Sequence, residues 1–199
     1  MSGNLAADER TTDEPLADEP TRRRLTARQA DTVRRLTEAA VEEIREAGYE
    51  NFSVRDVARR AEVGAATAYT YFASKDHLLT EVFWRRLRAL PPVDEAEPEA
   101  EARIKAVLTE LALLVSGEPE LAAGCTAAMF GTDPDVRQLR IKIGREIHQR
   151  LEAAAGPGNP VTGLIELAYF GAMVQAGLGY TTYARMAGRL AEAVELIMR

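Results

Sequence analysis

One stretch near the N-terminus decides the fold: residues 53–79 read SVRDVARRAEVGAATAYTYFASKDHLL. Ser53 is a favourable N-cap, and the apolar residues that follow it recur at helical spacing. Glu62-Val63-Gly64 then interrupts the pattern, with Gly64 able to take a left-handed conformation. A second short helix is predicted from about Ala65 to Tyr71. Two short helices joined by a tight turn are typical of a helix-turn-helix unit.

The two helices of such a unit cross closely, so small residues are needed at the crossing. Ala58, Ala61 and Ala66 meet this need. In a helix-turn-helix, the first helix crosses the DNA backbone, and the second enters the major groove with its N-terminal side chains facing the base edges. The stretch therefore predicts a unit that binds double-stranded DNA.

The same stretch resembles the DNA-binding domain of the TetR family of regulators. The matching points are a helix-opening hydroxyl, V-A-x-x-A, V-G, and then T-x-Y-x-Y-F-x-S-K-[DE]-x-L-L. The resemblance covers about Thr26 to Leu90, and beyond it only helix number and chain length agree. It implies an all-α fold with about nine helices. An N-terminal three-helix helix-turn-helix domain would be followed by a C-terminal helical domain for ligand binding and dimerisation.

The resemblance also implies which residues contact DNA. Tyr71 and Lys75 match positions that usually grip phosphates, and Arg55 matches one that reaches the backbone or a base. Thr67 and Tyr69 lie on the recognition helix. The full predicted set is Arg55, Ala65, Ala66, Thr67, Tyr69, Thr70, Tyr71 and Lys75. Structural roles are the alternatives: Tyr69 as a cap on the three-helix core, Thr67 as a solvent-facing residue, and Lys75 as an ordinary surface charge.

The recognition helix departs from what base recognition usually requires. It opens with Ala65-Ala66, so no Gln, Asn, Lys or Arg stands there to make a bidentate contact with a base. Sequence recognition then depends on Thr67, Tyr69 and Arg55, on contacts with thymine methyl groups, or on DNA shape. We expect base-specific hydrogen bonds to be few.

The segment before this domain is polar and acidic. Residues 1–24 contain few apolar side chains, which predicts a disordered tail. The tail ends in Arg22-Arg23-Arg24, which is either a solvated run or an arm that contacts DNA. Residues 25–90 form the predicted DNA-binding domain. Its first helix begins near Thr26, and Gly48 is a plausible C-cap for it.

Residues 91–199 predict a second helical domain. An acidic, proline-rich connection, PPVDEAEPEAE, occupies residues 91–101. Apolar stripes then predict helices at about Ile104–Val115, Pro119–Phe130, Val136–Leu151, Val161–Thr182 and Arg185–Met198. No segment alternates apolar and polar residues for long enough to indicate a strand.

The resemblance implies that the last two helices pair with those of a second subunit in a four-helix bundle. Small residues between Gly171 and Gly179 permit such close helix approach. The alternative is that both helices pack only within their own subunit. A two-fold dimer would place two recognition helices about 34–36 Å apart, as a palindromic operator requires.

A ligand cavity in the second domain is the expected counterpart of the DNA-binding unit. The bulky, soft and polar candidates for its lining are Trp84, Met129, Phe130, His148, Tyr169, Phe170, Met173 and Gln175. Core packing is the alternative for the apolar members, and a satisfied surface or core position is the alternative for His148. We expect the ligand to shift the fourth helix and so lower the affinity for the operator.

Composition and charge favour a regulator over other classes. The net charge of −6 conceals a basic block at residues 21–90 between two acidic segments, which fits a nucleic-acid module joined to a second domain. The chain has one cysteine, Cys125, so it forms no intrachain disulfide. We predict a cytoplasmic protein without a membrane span, the apolar segment from Val161 to Ala184 being a buried or interface helix.

Enzymatic motifs are absent from the sequence. It has no HExxH, GxGxxG or Walker loop, and neither histidine follows a glutamate at the spacing of a di-iron site. We therefore predict no catalytic residues, metal or cofactor, and a ligand-responsive transcriptional regulator. Repression in place of activation follows only from the habit of most family members. A protein-interaction module built on the three-helix unit remains the alternative.

Overall fold

The protein is helical throughout the part that the structure, a computed structural model, describes. Residues 26–199 form nine α-helices and no strand. In chain order they are α1 (Ala27–Asn51), α2 (Val54–Arg60), α3 (Ala65–Tyr71), α4 (Lys75–Arg88), α5 (Ala100–Leu113), α6 (Pro119–Phe130), α7 (Pro134–Ala155), α8 (Val161–Gly177) and α9 (Tyr183–Ile197). The predicted all-α fold is confirmed for these residues, and the predicted tail at residues 1–24 lies outside them.

The first helix begins where its sequence predicts but ends at Asn51, three residues beyond the predicted C-cap Gly48. Thr26 and Gln29 form a reciprocal capping box, in which each side chain accepts a hydrogen bond from the backbone of the other. Helical backbone angles are interrupted at Gly48, whose φ is 70°, before a last turn runs to Asn51. The left-handed backbone at this position favours glycine because it has no Cβ.

The turn between α2 and α3 differs from the prediction in one respect. The residue with left-handed backbone is Glu62, with a φ of 52°, whereas Gly64 has a φ of −59°. The N–H of Glu62 donates to the carbonyl of Arg59, and that of Val63 donates to the carbonyl of Ala58. These are the two bonds of a Schellman motif, and they fix the left-handed residue at the position after the C-cap Ala61.

The small residue that α3 buries is also different from the one predicted. Ala68 is fully buried, together with Ala58 and Ala61 of the α2 end, while Ala66 is exposed. The helix therefore lies about half a turn from the orientation expected. Phe72, which follows α3, is fully buried in the core.

The fourth helix is shared between the two halves of the molecule. Its buried face, which includes Leu78, Leu79 and Leu87, packs against α1 on one side and against α6 and α7 on the other. Helix α7 holds α4 at both ends. At the N-terminal end Ser74 donates a hydrogen bond to Asp133, and at the C-terminal end Arg150 donates to the carbonyls of Leu87, Leu90 and Pro91.

Helix α8 is shorter than the sequence predicts, and α9 begins two residues earlier than predicted, so a longer loop separates the two helices. Helix α8 ends at Gly177 instead of Thr182, because Gly179 has a φ of 78° and a second Schellman motif closes on Gln175 and Ala176. Thr182 then caps α9 by accepting from the N–H of Arg185. None of the described helices is long and apolar enough to span a membrane.

Candidate DNA-binding surface and ligand cavity

Helix α3 presents one face to solvent and buries the other. Its exposed residues are Ala65, Ala66, Thr67, Tyr69 and Thr70. Tyr69 is 47% exposed, so it does not cap the three-helix core. The hydroxyl of Thr70 donates to the carbonyl of Ala66 within the helix, which occupies its one donor. The outward hydroxyl groups on this face are therefore few, and its first two residues are alanines.

Two predicted phosphate contacts point partly back into the protein. Tyr71 is buried, with 7% of its surface exposed. The ammonium of Lys75 donates to the carbonyl of Tyr49 at 2.9 Å and lies 4.1 Å from the centre of the Tyr49 ring. Since an ammonium has three donors, this bond leaves capacity for an anion. Arg55, in contrast, is exposed on α2.

Several arginines of the basic block form ion pairs with carboxylates of the protein itself. Arg60 forms ion pairs with Glu43 and Glu46 and so fastens α2 to α1. Their hydrogen bonds raise the pKa of Arg60 further. Arg34 pairs with Asp31 and Glu38 on the surface of α1. The net charge of the block does not predict this pairing, because it does not show which cations meet a carboxylate.

A cavity of about 330 Å³ lies inside the second half, bounded mainly by apolar side chains. Its lining comprises Phe83, Val115, Ala122, Cys125, Thr126, Met129, Phe130, Arg140, Ile143, Ile147, Tyr169, Phe170, Met173, Val174 and Tyr183. Of the residues predicted to bind a ligand, Met129, Phe130, Tyr169, Phe170 and Met173 are therefore brought together around one cavity. Phe130 is 65% exposed and Phe170 is 36% exposed, whereas most of the other lining residues are buried.

The other three predicted ligand residues lie outside this cavity. Trp84 is buried in the core, with the guanidinium of Arg88 5.8 Å from its ring. His148 is exposed on α7 and lies 3.0 Å from a carboxylate oxygen of Glu166. Gln175 is exposed on α8 and accepts a hydrogen bond from Arg189. Each lies off the apolar stripe of its helix that faces the cavity.

Most polar groups at the cavity wall already have partners. The hydroxyls of Thr126 and Tyr183 lie 3.1 Å apart, and Arg140 donates to the carbonyls of Met129 and Gly131 at the end of α6. The thiol of Cys125 contacts the carbonyl of Leu79 at 3.6 Å. Burial raises the pKa of this thiol to about 12, so it does not form the thiolate needed for redox sensing.

Helix α6 lies between the cavity and α1, while Phe83 of α4 lines the cavity directly. Cys125 faces the cavity, and its neighbour Gly124 faces the opposite way. A Cβ at Gly124 would come within 3.0 Å of Leu79, Ile44 and Tyr49, so α6 lies directly against α4 and α1. A displacement of α6 by a molecule in the cavity would consequently press on both of these helices.

Comparison with known proteins agrees with this arrangement. The family model of bacterial regulatory proteins of the tetR family matches residues 36–82. An uncharacterized HTH-type transcriptional regulator of Mycobacterium tuberculosis is 46% identical over 189 residues, which is 93% of this chain and 87% of the relative. The chain belongs to the TetR family. This TetR-family protein is accordingly a DNA-binding transcriptional regulator and not an enzyme.

Two solved structures share the fold. A TetR transcriptional regulator from Rhodococcus sp. RHA1 has a TM-score of 0.66 at 24% identity, covering 82% of this chain and 95% of that one. The transcriptional regulator FadR from Bacillus subtilis, solved in complex with stearoyl-CoA, has a TM-score of 0.56 at 18% identity, covering 81% and 96%. Like them, this TetR-family chain joins a helix-turn-helix unit to a helical C-terminal domain.

Proposed function

We propose that the protein is a homodimeric repressor that holds a palindromic operator until a small apolar ligand enters the cavity. The observation that carries this proposal is the position of α6 and α7. Both helices line the cavity and both pack against α4, the helix that follows the recognition helix α3. A ligand that moves α6 or α7 therefore moves α4 and, with it, the recognition helix α3.

The proposed DNA contacts are made by the exposed face of α3 and by its neighbours. Thr67 and Tyr69 would meet the bases, with Ala65, Ala66 and Thr70 in apolar or close contact, and Arg55 would meet a phosphate. Tyr71 and Lys75 would contribute at the edge of this surface. Because alanines offer no hydrogen bond, DNA shape contributes strongly to operator recognition.

The proposed dimer is supported by apolar surface on and beside the last two helices. Leu164, Leu167, Leu178, Tyr180 and Leu196 are between 55% and 80% exposed. A cluster of exposed large apolar residues is typical of an interface between proteins. Two subunits related by a two-fold axis would present two α3 helices to successive turns of the major groove.

The proposed ligand is apolar because the cavity is. Met129, Phe130, Tyr169, Phe170 and Met173 supply most of its soft and aromatic surface. FadR, which has a similar fold, binds stearoyl-CoA. A curated relative over 59% of this chain, 29% identical, is the fatty acid metabolism regulator protein of Bacillus subtilis. These likenesses support an effector with a hydrocarbon body.

A gel-shift titration on the DNA upstream of the protein's own gene tests operator binding, with random duplex as competitor. We expect a shift that the competitor does not abolish. Arg55→Gln should weaken binding and reduce the slope of log K against log salt by about 0.9, the value for one phosphate contact. Arg145→Gln, at an exposed position on α7, is the matched control and should leave the slope unchanged. If random duplex abolished the shift as effectively as the upstream DNA itself, the proposal would be contradicted.

Sedimentation of purified protein tests the dimer. Leu167 is 72% exposed on α8. Leu167→Glu should convert the dimer to a monomer, because it places a charge in the proposed interface. Leu113→Glu, at a 46% exposed position on α5, is the control and should remain dimeric. A wild-type protein that sediments as a monomer at micromolar concentration would exclude this part of the proposal. Transcript levels of the adjacent gene in a deletion strain should rise if the protein represses.

A further inference from the structure

One side chain of the cavity lining, Tyr169, has a buried hydroxyl without a partner among the described residues. The Tyr169 side chain is 1% exposed and lines the cavity, and its hydroxyl forms no hydrogen bond with any described residue. The other hydroxyls nearby, those of Thr126 and Tyr183, are paired with each other. Buried polar groups in proteins are nearly always hydrogen-bonded, so an orphaned hydroxyl beside a cavity indicates a partner that enters from outside the chain.

The hydroxyl of Tyr169 acts as a donor at neutral pH. Burial raises its pKa, with a smaller contribution from Tyr183, so the phenol keeps its proton. A phenol O–H donates to a carbonyl or ether oxygen in its reach. The lining is mainly apolar, and its other polar side chains Thr126, Arg140 and Tyr183 already have partners. This single bond therefore distinguishes an oxygenated ligand from the hydrocarbon of the same shape, because only the first satisfies the buried hydroxyl.

The volume of the cavity limits the ligand that fits. At about 30 Å³ for a water-sized group, 330 Å³ accommodates about eleven such groups. This corresponds to two fused six-membered rings with one oxygen, or to a hydrocarbon chain of similar size. A longer chain would extend past Phe130 and Phe170, the exposed aromatic residues of the lining.

We propose that Tyr169 binds the oxygen acceptor of a compact, largely hydrocarbon ligand such as a bicyclic or medium-chain ketone. The inference rests on the ligand site of the proposed function and adds the chemistry that the site selects. Tyr169 is thereby the residue that sets specificity, while the surrounding apolar side chains supply affinity without distinguishing the oxygen.

Two probes of matched shape test this assignment. They are 1-tetralone, which has one carbonyl, and tetralin, which has none. Calorimetric titration of the full-length protein should give tighter binding of 1-tetralone. In Tyr169→Phe, the dissociation constant of 1-tetralone should rise about tenfold, while that of tetralin stays within about twofold. Tyr183→Phe is the matched control, since its hydroxyl is already paired with Thr126, and it should retain the preference for the ketone.

Three results would overturn the inference. The first is an equal effect of Tyr169→Phe on both probes, which would make the residue a packing element only. The second is binding of neither probe up to its solubility limit, which would refute the ligand class. The third is tighter binding of decanoate that Arg140→Gln abolishes and Tyr169→Phe does not. The titration contains no DNA, so its failure is distinct from failure of the operator shift that tests the proposed function.

Discussion

Ser74 donates a hydrogen bond to Asp133 and so joins the residue that caps α4 to the residue that caps α7. The other carboxylate oxygen of Asp133 accepts from the N–H of Asp135 at 2.8 Å. Burial alone would raise the pKa of Asp133, but the bonds from Ser74 and from the backbone of Asp135 and Val136 lower it below 3.8. One carboxylate thus stabilises two helix ends.

Replacing Asp133 separates its two roles. Asp133→Ala should lower the free energy of unfolding by about 1–2 kcal/mol, because it removes an N-cap. Asp133→Asn should cost less than half as much, because Asn also caps helices. Since the folded pKa lies below the unfolded value, the charge contributes stability above about pH 4, and this is lost as the pH falls through the folded pKa. Urea unfolding at pH 7 and pH 3 measures both effects; equal losses in the two variants would refute the capping role.

Glu62 offers a gain in stability. An L-residue in left-handed backbone costs about 1–2 kcal/mol, so Glu62→Gly should raise the free energy of unfolding by about 0.5–1 kcal/mol. Glu62→Ala removes the same charge without relieving the backbone, and it should give no such gain. Thermal unfolding measures the stability of the two variants. An equal rise in the melting temperature of both would show that removal of the charge, and not relief of the backbone, is responsible.

Glycines on two helices should respond oppositely to the same substitution. A Cβ at Gly177 would lie 2.9 Å from the Cβ of Thr126, an atom that no side-chain rotation moves away. Gly177→Ala should therefore destabilise the protein by about 1–3 kcal/mol. Gly144 has no atom within 4 Å of an added Cβ, so Gly144→Ala should stabilise α7 by about 0.5–1 kcal/mol. The denaturant midpoints of unfolding compare the two variants, and a lower midpoint for both would contradict this packing.

The surface pair of His148 and Glu166 should be visible in a titration. The hydrogen bond to Glu166 is the main cause that raises the pKa of His148 above 6.5. Its contribution to stability is present below the unfolded pKa and disappears as the pH rises through the folded pKa. The NMR shift of the imidazole Cε1–H should give a midpoint above 6.5, which Glu166→Gln returns toward 6.5. A midpoint that does not respond to Glu166→Gln would exclude the contact.

Local signals in the sequence predicted helix ends better than they predicted the functional surfaces. The predicted cap at Ser53 is present because a hydroxyl before an apolar stripe satisfies free backbone amides, and Thr26 and Ser74 cap α1 and α4 in the same way. The left-handed residue of the turn is Glu62 and not Gly64, since glycine tolerates that conformation without requiring it. The hydrogen bonds that close α2 decide the position, and they place it at Glu62.

Periodicity identified apolar faces but not what those faces adjoin. Tyr169 and Trp84 are both aromatic and both buried, yet one lines a cavity and the other fills the core. Arg140 was missed as a lining residue because a charged side chain is ordinarily assigned to solvent. Its position three residues before Ile143 places it on the same face of α7, a signal that the spacing contains.

Helix α7 is attached to α4 at Ser74 and at Arg150, so α4 can rotate about either of these two ends. If the hydrogen bond at Ser74 breaks, α4 rotates about its C-terminal end at Arg150, and its N-terminal end, which follows α3, moves. Helix α4 is about 21 Å long for 14 residues, and a 2 Å displacement at its tip corresponds to a rotation of about 5°. Moving α7 as a whole would translate both ends together and leave the tilt of α4 unchanged.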